Sequence, residues 1–235
     1  MDILKKSLLG ELEESLVKTI VSEDLIENFG AISEALLDSE IVDGVIQNIP
    51  FFDILYKTGK IALSVRDKIF EKKLLYFLLE VKDIPADKRN NFIQELEEKS
   101  GQRAGETLLM LIERLDNVRK TKIIANLLKA KINGDINIEK FLRLSAIVDR
   151  GFLNDLEKLS LFKSPEGAYE EDISESLHSL GLLYIFVSEF VDTIDQNNPT
   201  FNNSGNNFKI TNTGLDLLKY GFMIDWQFFP TPLHL

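Results

Sequence analysis

Apolar residues recur every three to four positions through the first two-thirds of this chain, and that period commits it to helices. Phe51, Ile54, Leu55, Thr58, Ala62, Val65 and Ile69 make one stripe, and Asp53, Lys57, Lys60, Ser64, Asp67, Lys68 and Glu71 make the opposite one. A stripe of that kind is one face of a helix laid on a core. The spacing predicts a helix over about 51–81, opened by Pro50, whose ring suits a first helical turn. From Leu74 to Leu79 the pattern is apolar nearly all round, as deep burial requires. Upstream, Leu4, Leu8, Leu12, Leu16 and Ile20, then Leu25, Phe29, Ile32 and Leu36, keep the same period, with Gly30 and Gly44 as breaks. Downstream, Asp83-Ile84-Pro85 stops one helix and starts the next. That next helix carries Phe92, Ile93 and Leu96 on one side and ends at Ser100-Gly101. Helices follow over 107–115 and 122–132, the second closed by Asn133-Gly134. Asn137 can cap another, with Phe141, Leu142, Leu144, Ile147 and Val148 as its apolar set. A short helix over 152–161 completes the series.

The pattern breaks at Lys163-Ser164-Pro165-Glu166-Gly167, which places a boundary between a helical bundle, residues 1–162, and a second unit, 163–235. In that unit Asp172 and Glu175 read as a capping box for a helix ending near Gly181. Residues 182–194 are rich in β-branched and aromatic side chains and read as a strand, although Ser188-Glu189 and Asp192-Thr193 keep a helical spacing. The stretch 196–207 holds six asparagines with Pro199 and Gly205, and is a loop. Phe208-Lys209-Ile210 returns as a strand. Thr211 caps a last helix of Leu215, Leu217 and Leu218, which ends at Gly221. Helix, strand, loop, strand and helix is the outline of a winged helix. The expected fold is mainly α: a helical bundle followed by a small winged-helix-like α+β unit with an apolar tail, FMIDWQFFPTPLHL.

Charge argues against the usual use of that outline. Residues 1–56 carry twelve acidic and three basic side chains, residues 57–150 fourteen and twenty, and residues 165–235 ten and two. Nonspecific affinity for DNA comes from Lys and Arg on phosphates. The helix that would enter a groove instead exposes Asp172, Ser174, Glu175, His178 and Ser179, and the wing has Lys209 only at its base. Nucleic acid is therefore disfavoured through the C-terminal unit, and the basic middle is the place to look for a phosphate-bearing or acidic partner.

Motifs of chemistry fail on their own requirements. Thr58-Gly59-Lys60 resembles a nucleotide loop, yet Ile54 stands where the first glycine belongs and Ile61 where Ser or Thr belongs. Aligning Gly134 with a calcium-loop glycine puts Lys129, Lys131 and Lys140 at ligand positions, and lysine offers no oxygen. There is no cysteine, and the two histidines, His178 and His234, lack a zinc spacing. Pairs such as Glu13-Glu14, Glu97-Glu98 and Glu170-Glu171 are sequence neighbours, which acid–base catalysis does not reward. The chain reads as a non-enzyme without cofactor or metal. The opening MDILKKSLLGELEESL is neither a secretory signal nor a transit peptide, no run is long enough to cross a membrane, and a cytoplasmic location is expected.

Segments of this chain resemble bacterial proteins of the abortive-infection alpha type. The resemblance rests on Phe141-Leu142-Arg143-Leu144-Ser145-Ala146-Ile147-Val148-Asp149 leading into Asp155-Leu156-Glu157-Lys158-Leu159, on Gly181-Leu182-Leu183, and on Phe208-Lys209-Ile210-Thr211-Asn212-Thr213-Gly214-Leu215. It covers about residues 105–221 and leaves the acidic first 50 residues outside. It implies a bacterial accessory protein linked to phage defence, and it supplies no active site.

Three functions follow as expectations. The first is an interaction protein acting through protein contacts or self-association, with Trp226, Phe228 and Phe229 of the tail as contact residues. The second is a membrane-acting effector that lays the 51–81 helix on a lipid surface, with Lys57, Lys60 and Lys68 at its polar boundary. The third is a transcriptional regulator that would bind DNA through the basic middle.

Overall fold

The computed structural model describes residues 2–29, 49–57, 65–163, 171–186 and 207–224. The chain divides into two compact units, Met1–Asp149 and Arg150–Leu235. The short helix expected to close the first unit therefore belongs to the second. Its Leu153, Leu156 and Leu159 are buried, and it packs on the helix that follows it within that unit.

The first unit is helical throughout its described residues: α1 (Asp2–Val21), α2 (Leu25–Phe29), α3 (Pro50–Lys57), α4 (Val65–Val81), α5 (Ala86–Ser100), α6 (Ala104–Arg114), α7 (Val118–Ile132) and α8 (Ile138–Arg150). Helix α4 packs along α7, while α1 packs on α3, α5 and α6. Leu12, Leu16 and Ile20 of the expected stripe are buried, as are Leu25 and Phe29. Ring edges join at Phe51–Phe52, with centroids 5.3 Å apart, and at Phe92–Phe141, 5.5 Å apart, the second pair tying α5 to α8. Such edge-to-face pairs add about 0.5–1.5 kcal/mol beyond their buried area. Helices α1 and α6 meet closely at Gly105, where a Cβ would stand 2.3 Å from the Glu13 carbonyl oxygen. Only a bare Cα lets α1 and α6 approach so closely.

Local signals held where the chemistry is local. Pro50 opens α3. Gly101, Gly134 and Gly181 follow helix ends at φ of 67°, 82° and 73°, a conformation that side chains with a Cβ resist. The Asn137 side chain accepts from the Lys140 amide at 2.8 Å, and Asn133-Gly134 is a turn between two helices.

The long 51–81 stripe needs correction. Its described parts are α3 and α4, and Thr58, Lys60 and Ala62 lie outside the described residues. Phe51 and Leu55 are buried, but Val65 and Ile69 are 77% and 43% exposed, and Glu71, assigned to the polar side, is buried. The first turns of α4 border an open groove beside the end of α6, where Val65 and Ile69 stay exposed.

The second unit runs α9 (Leu153–Lys158), a 3-10 turn (Leu159–Lys163), α10 (Glu171–Ser179), β1 (Leu183–Phe186), β2 (Asn207–Ile210), α11 (Asn212–Asp216) and a π turn (Leu217–Gly221). The strands pair antiparallel, Leu183 opposite Ile210 and Phe186 opposite Asn207. Leu156, Leu159, Leu177, Leu182, Leu217 and Leu218 are fully buried. In the turn that closes α10, the Gly181 amide donates to the His178 carbonyl and the Leu182 amide to the Leu177 carbonyl, at 2.8 and 3.0 Å. Thr211 caps α11 as expected, accepting from the Gly214 amide at 3.1 Å. Asp172 does not start α10: the helix begins at Glu171, so Asp172 sits in its first turn, where a carboxylate favours the helix dipole. Ser174, expected on the outer face, is buried, because it shares the inward side with Ile173 and Leu177. The strand expected over 182–194 is described only to Phe186. The chain is thus mainly helical with a small two-stranded sheet.

Candidate functional site

The basic middle of the chain turns part of its charge inward. Lys73 on α4 is only 5% exposed, and its ammonium donates to the carbonyls of Ile112, Glu113 and Leu115 at 3.2, 2.8 and 2.6 Å. These are orphan carbonyls at the C-terminal end of α6, and a cation there also complements the negative end of the helix dipole. Burial pushes the Lys73 pKa below its ordinary value; Glu113 opposes that fall, Arg66 adds to it and Asp116 opposes it. Lys120 on α7 is fully buried. It donates to the Asp149 carbonyl at 3.1 Å, near the end of α8, and meets the Asp116 carboxylate at 2.7 Å. Arg114 closes the same corner on the Asp149 carboxylate at 2.7 Å. Arg89, also buried, donates to the carbonyls of Lys82 and Ser22 at 3.1 and 2.5 Å.

Other lysines on α7 serve neighbouring helices. Lys122 and Lys129 meet Glu80 of α4 at 3.6 and 2.6 Å, and Lys131 pairs with Glu95 of α5. Glu13, buried on α1, has Oε2 2.9 Å from the exposed Arg103 guanidinium, a charge contact without hydrogen-bond geometry. These groups hold helices together; they do not converge on one cleft.

The groove beside α4 has a different character. It is an open depression of about 380 Å³. Val65, Ile69, Phe70 and Leu115 make its apolar walls, and Arg66, Lys73 and Glu113 are its charged groups. Arg66 is 81% exposed on its side chain and pairs with half-exposed Glu113. Positions 65, 69 and 73 recur at the i, i+4 spacing, so they lie along one edge of the helix.

The second unit presents apolar side chains outward. Phe152 and Met223 are 58% and 64% exposed, and Leu161, Tyr184 and Ile185 are also exposed. Asp172, Glu175, His178 and Ser179 are exposed on α10. His178 meets the Phe208 ring edge at 5.7 Å. Lys209 lies 3.8 Å over the Phe186 ring, occupied by a cation–π contact.

Of the residues the sequence singled out for contact, Lys68 is exposed on α4 and Lys57 ends α3, its side chain not described. Lys60, Trp226, Phe228, Phe229 and His234 lie outside the described residues. Arg66, Phe70, Lys73 and Glu113 were not singled out. Their meeting joins residues 40 or more apart, and no spacing rule reaches that far. Among the described residues no cluster of three or more His, Cys, Asp or Glu could hold a metal, and no helix is long and apolar enough to cross a membrane. No protein-family model, curated protein or solved structure matches the chain.

Proposed function

We propose that this chain is a non-enzymatic interaction protein whose second unit, a winged-helix-like module, binds protein and not DNA. The observation that carries this reading is the exposure of Phe152, Leu161, Tyr184, Ile185 and Met223 in one small unit, whose helix α10 also exposes Glu171, Asp172 and Glu175. Five large apolar side chains left in water on so small a unit would gain by docking on a protein surface that covers them. The winged-helix reading draws on the order α9, α10, β1, β2, α11. The exposed positions of α10 carry no Lys or Arg, and Lys209 is held over a ring, so phosphate contacts are poorly served. A role in phage defence rests on the resemblance of residues 105–221 to abortive-infection alpha proteins. Self-association is the simplest form of the proposal. Light scattering behind size-exclusion chromatography should give a mass above the monomer that falls to the monomer in a Phe152→Ser/Tyr184→Ser variant with unchanged circular dichroism. A wild-type chain that stays monomeric at high micromolar concentration and cross-links to no host protein sinks the reading.

A specific observation favours a membrane surface as the second reading. Val65 and Ile69 are exposed, and Arg66 and Lys68 flank them on the same helix, the pattern of an in-plane helix. Co-sedimentation with phosphatidylglycerol vesicles at low salt, lost on changing Lys57, Lys60 and Lys68 to Glu, would support it; no co-sedimentation removes it.

A further inference from the structure

We infer that the groove between the first turns of α4 and the end of α6 binds a small monocarboxylate with an apolar body, its carboxylate held by Arg66 and its body by Val65, Ile69, Phe70 and Leu115. This lies wholly in the first unit and is independent of the partner reading of the second.

Size, surface and charge each contribute. The volume of about 380 Å³ sits at the lower end of the roughly 300–1,000 Å³ usual for small-molecule sites. Val65 and Ile69 have core chemistry but stand in water on the rim, so an apolar body laid over them gains by removing them from solvent. The lining holds two cations, Arg66 and Lys73, and one carboxylate, Glu113, a surplus of one positive charge. Lys73 spends its three N–H groups on carbonyls, so it supplies field and not a hydrogen bond. Arg66 can do both. Its planar fork matches a carboxylate in two parallel bonds, and its partner Glu113 is half exposed, so water can take over Glu113 when a ligand carboxylate displaces it. A cationic ligand would meet a lining with a surplus positive charge, and a neutral one would gain nothing from the guanidinium.

The test uses the full chain and three probes of equal length: octanoate, octanol and octylammonium. Calorimetry or amide chemical shifts should show saturable octanoate binding at about millimolar Kd or tighter, as expected for a ligand of that size. Octylammonium should not bind. Arg66→Gln and Ile69→Ser should each weaken octanoate at least about tenfold while leaving circular dichroism unchanged, since both side chains are exposed. No saturation by about 10 mM octanoate, equal binding of octanol and octanoate, or full affinity in Ile69→Ser would overturn the assignment. Binding to phosphatidylglycerol vesicles without any binding of monomeric octanoate would overturn it too, and would move the groove's role to a lipid surface.

Discussion

Residues 2–149 set lysines against the ends of their own helices, whereas residues 150–224 hold Lys209 against an aromatic ring and leave Phe152 and Met223 in water. Lys73 and Lys120 close α6 and α8 from inside, so those helix ends need no outside partner. In the second unit the caps are small and local: Thr211 serves the Gly214 amide and donates to the Gly181 carbonyl at 2.9 Å. The contrast teaches that formal charge is a poor guide to surface charge. Part of the positive excess over residues 57–150 is internal wiring, while the acidic side chains of α10 remain in solvent.

The comparison breaks most sharply in the cores. Phe77→Ala in the first unit should cost about 3–5 kcal/mol and Leu177→Ala in the second about 2–3 kcal/mol, both read by urea denaturation. Equal and small losses would mean neither core is packed as described. Next comes the contact of α1 with α6. Gly105→Ala must push a backbone carbonyl aside, at about 1–3 kcal/mol, and should lower the first unit's transition alone.

Lys73→Met keeps the stem and removes the ammonium, leaving three carbonyls at the end of α6 without their donor, for about 1–2 kcal/mol. The same variant sharpens the electrostatic side of the contrast. Burial holds the Lys73 pKa in the fold below its ordinary 10.5, so the unfolded chain binds the proton more tightly. The cost of burying the charge is therefore fully present below the folded pKa. It is relieved as pH rises from the folded pKa toward 10.5. Over that window wild type should gain stability relative to Lys73→Met; parallel pH profiles would show that Lys73 is not buried as a cation.

Capping should be nearly the same in both units: Thr211→Ala and Asn137→Ala each cost about 1 kcal/mol, measured by thermal melts. The smallest effect is at the ring-stacked cation, where Lys209→Met should cost about 0.5 kcal/mol. A loss as large as that at Lys73 would erase the distinction between the units.

Features that depend on neighbours along the chain are legible in the order of residues. Pro50, Asn137, Thr211 and Gly101 mark helix ends through bonds made within a few residues, and the 3.6-residue period assigned Leu12, Leu16, Phe92 and Val148 to buried faces. The same period misplaced Val65, Ile69 and Glu71. Periodicity says which residues share a face, and it cannot say where the helix packed against that face stops. Ser174 fell on the wrong side for a related reason, since a short hydroxyl is tolerated on either face. The unit boundary moved because breaker residues are a local signal, while the packing of Leu153, Leu156 and Leu159 decides membership. Only the tertiary structure turned Lys73, Arg89 and Lys120 inward and brought Arg66 to Glu113. Those contacts cross 29 to 67 residues of chain, and such distances are closed by packing, which leaves no local trace in the order of residues.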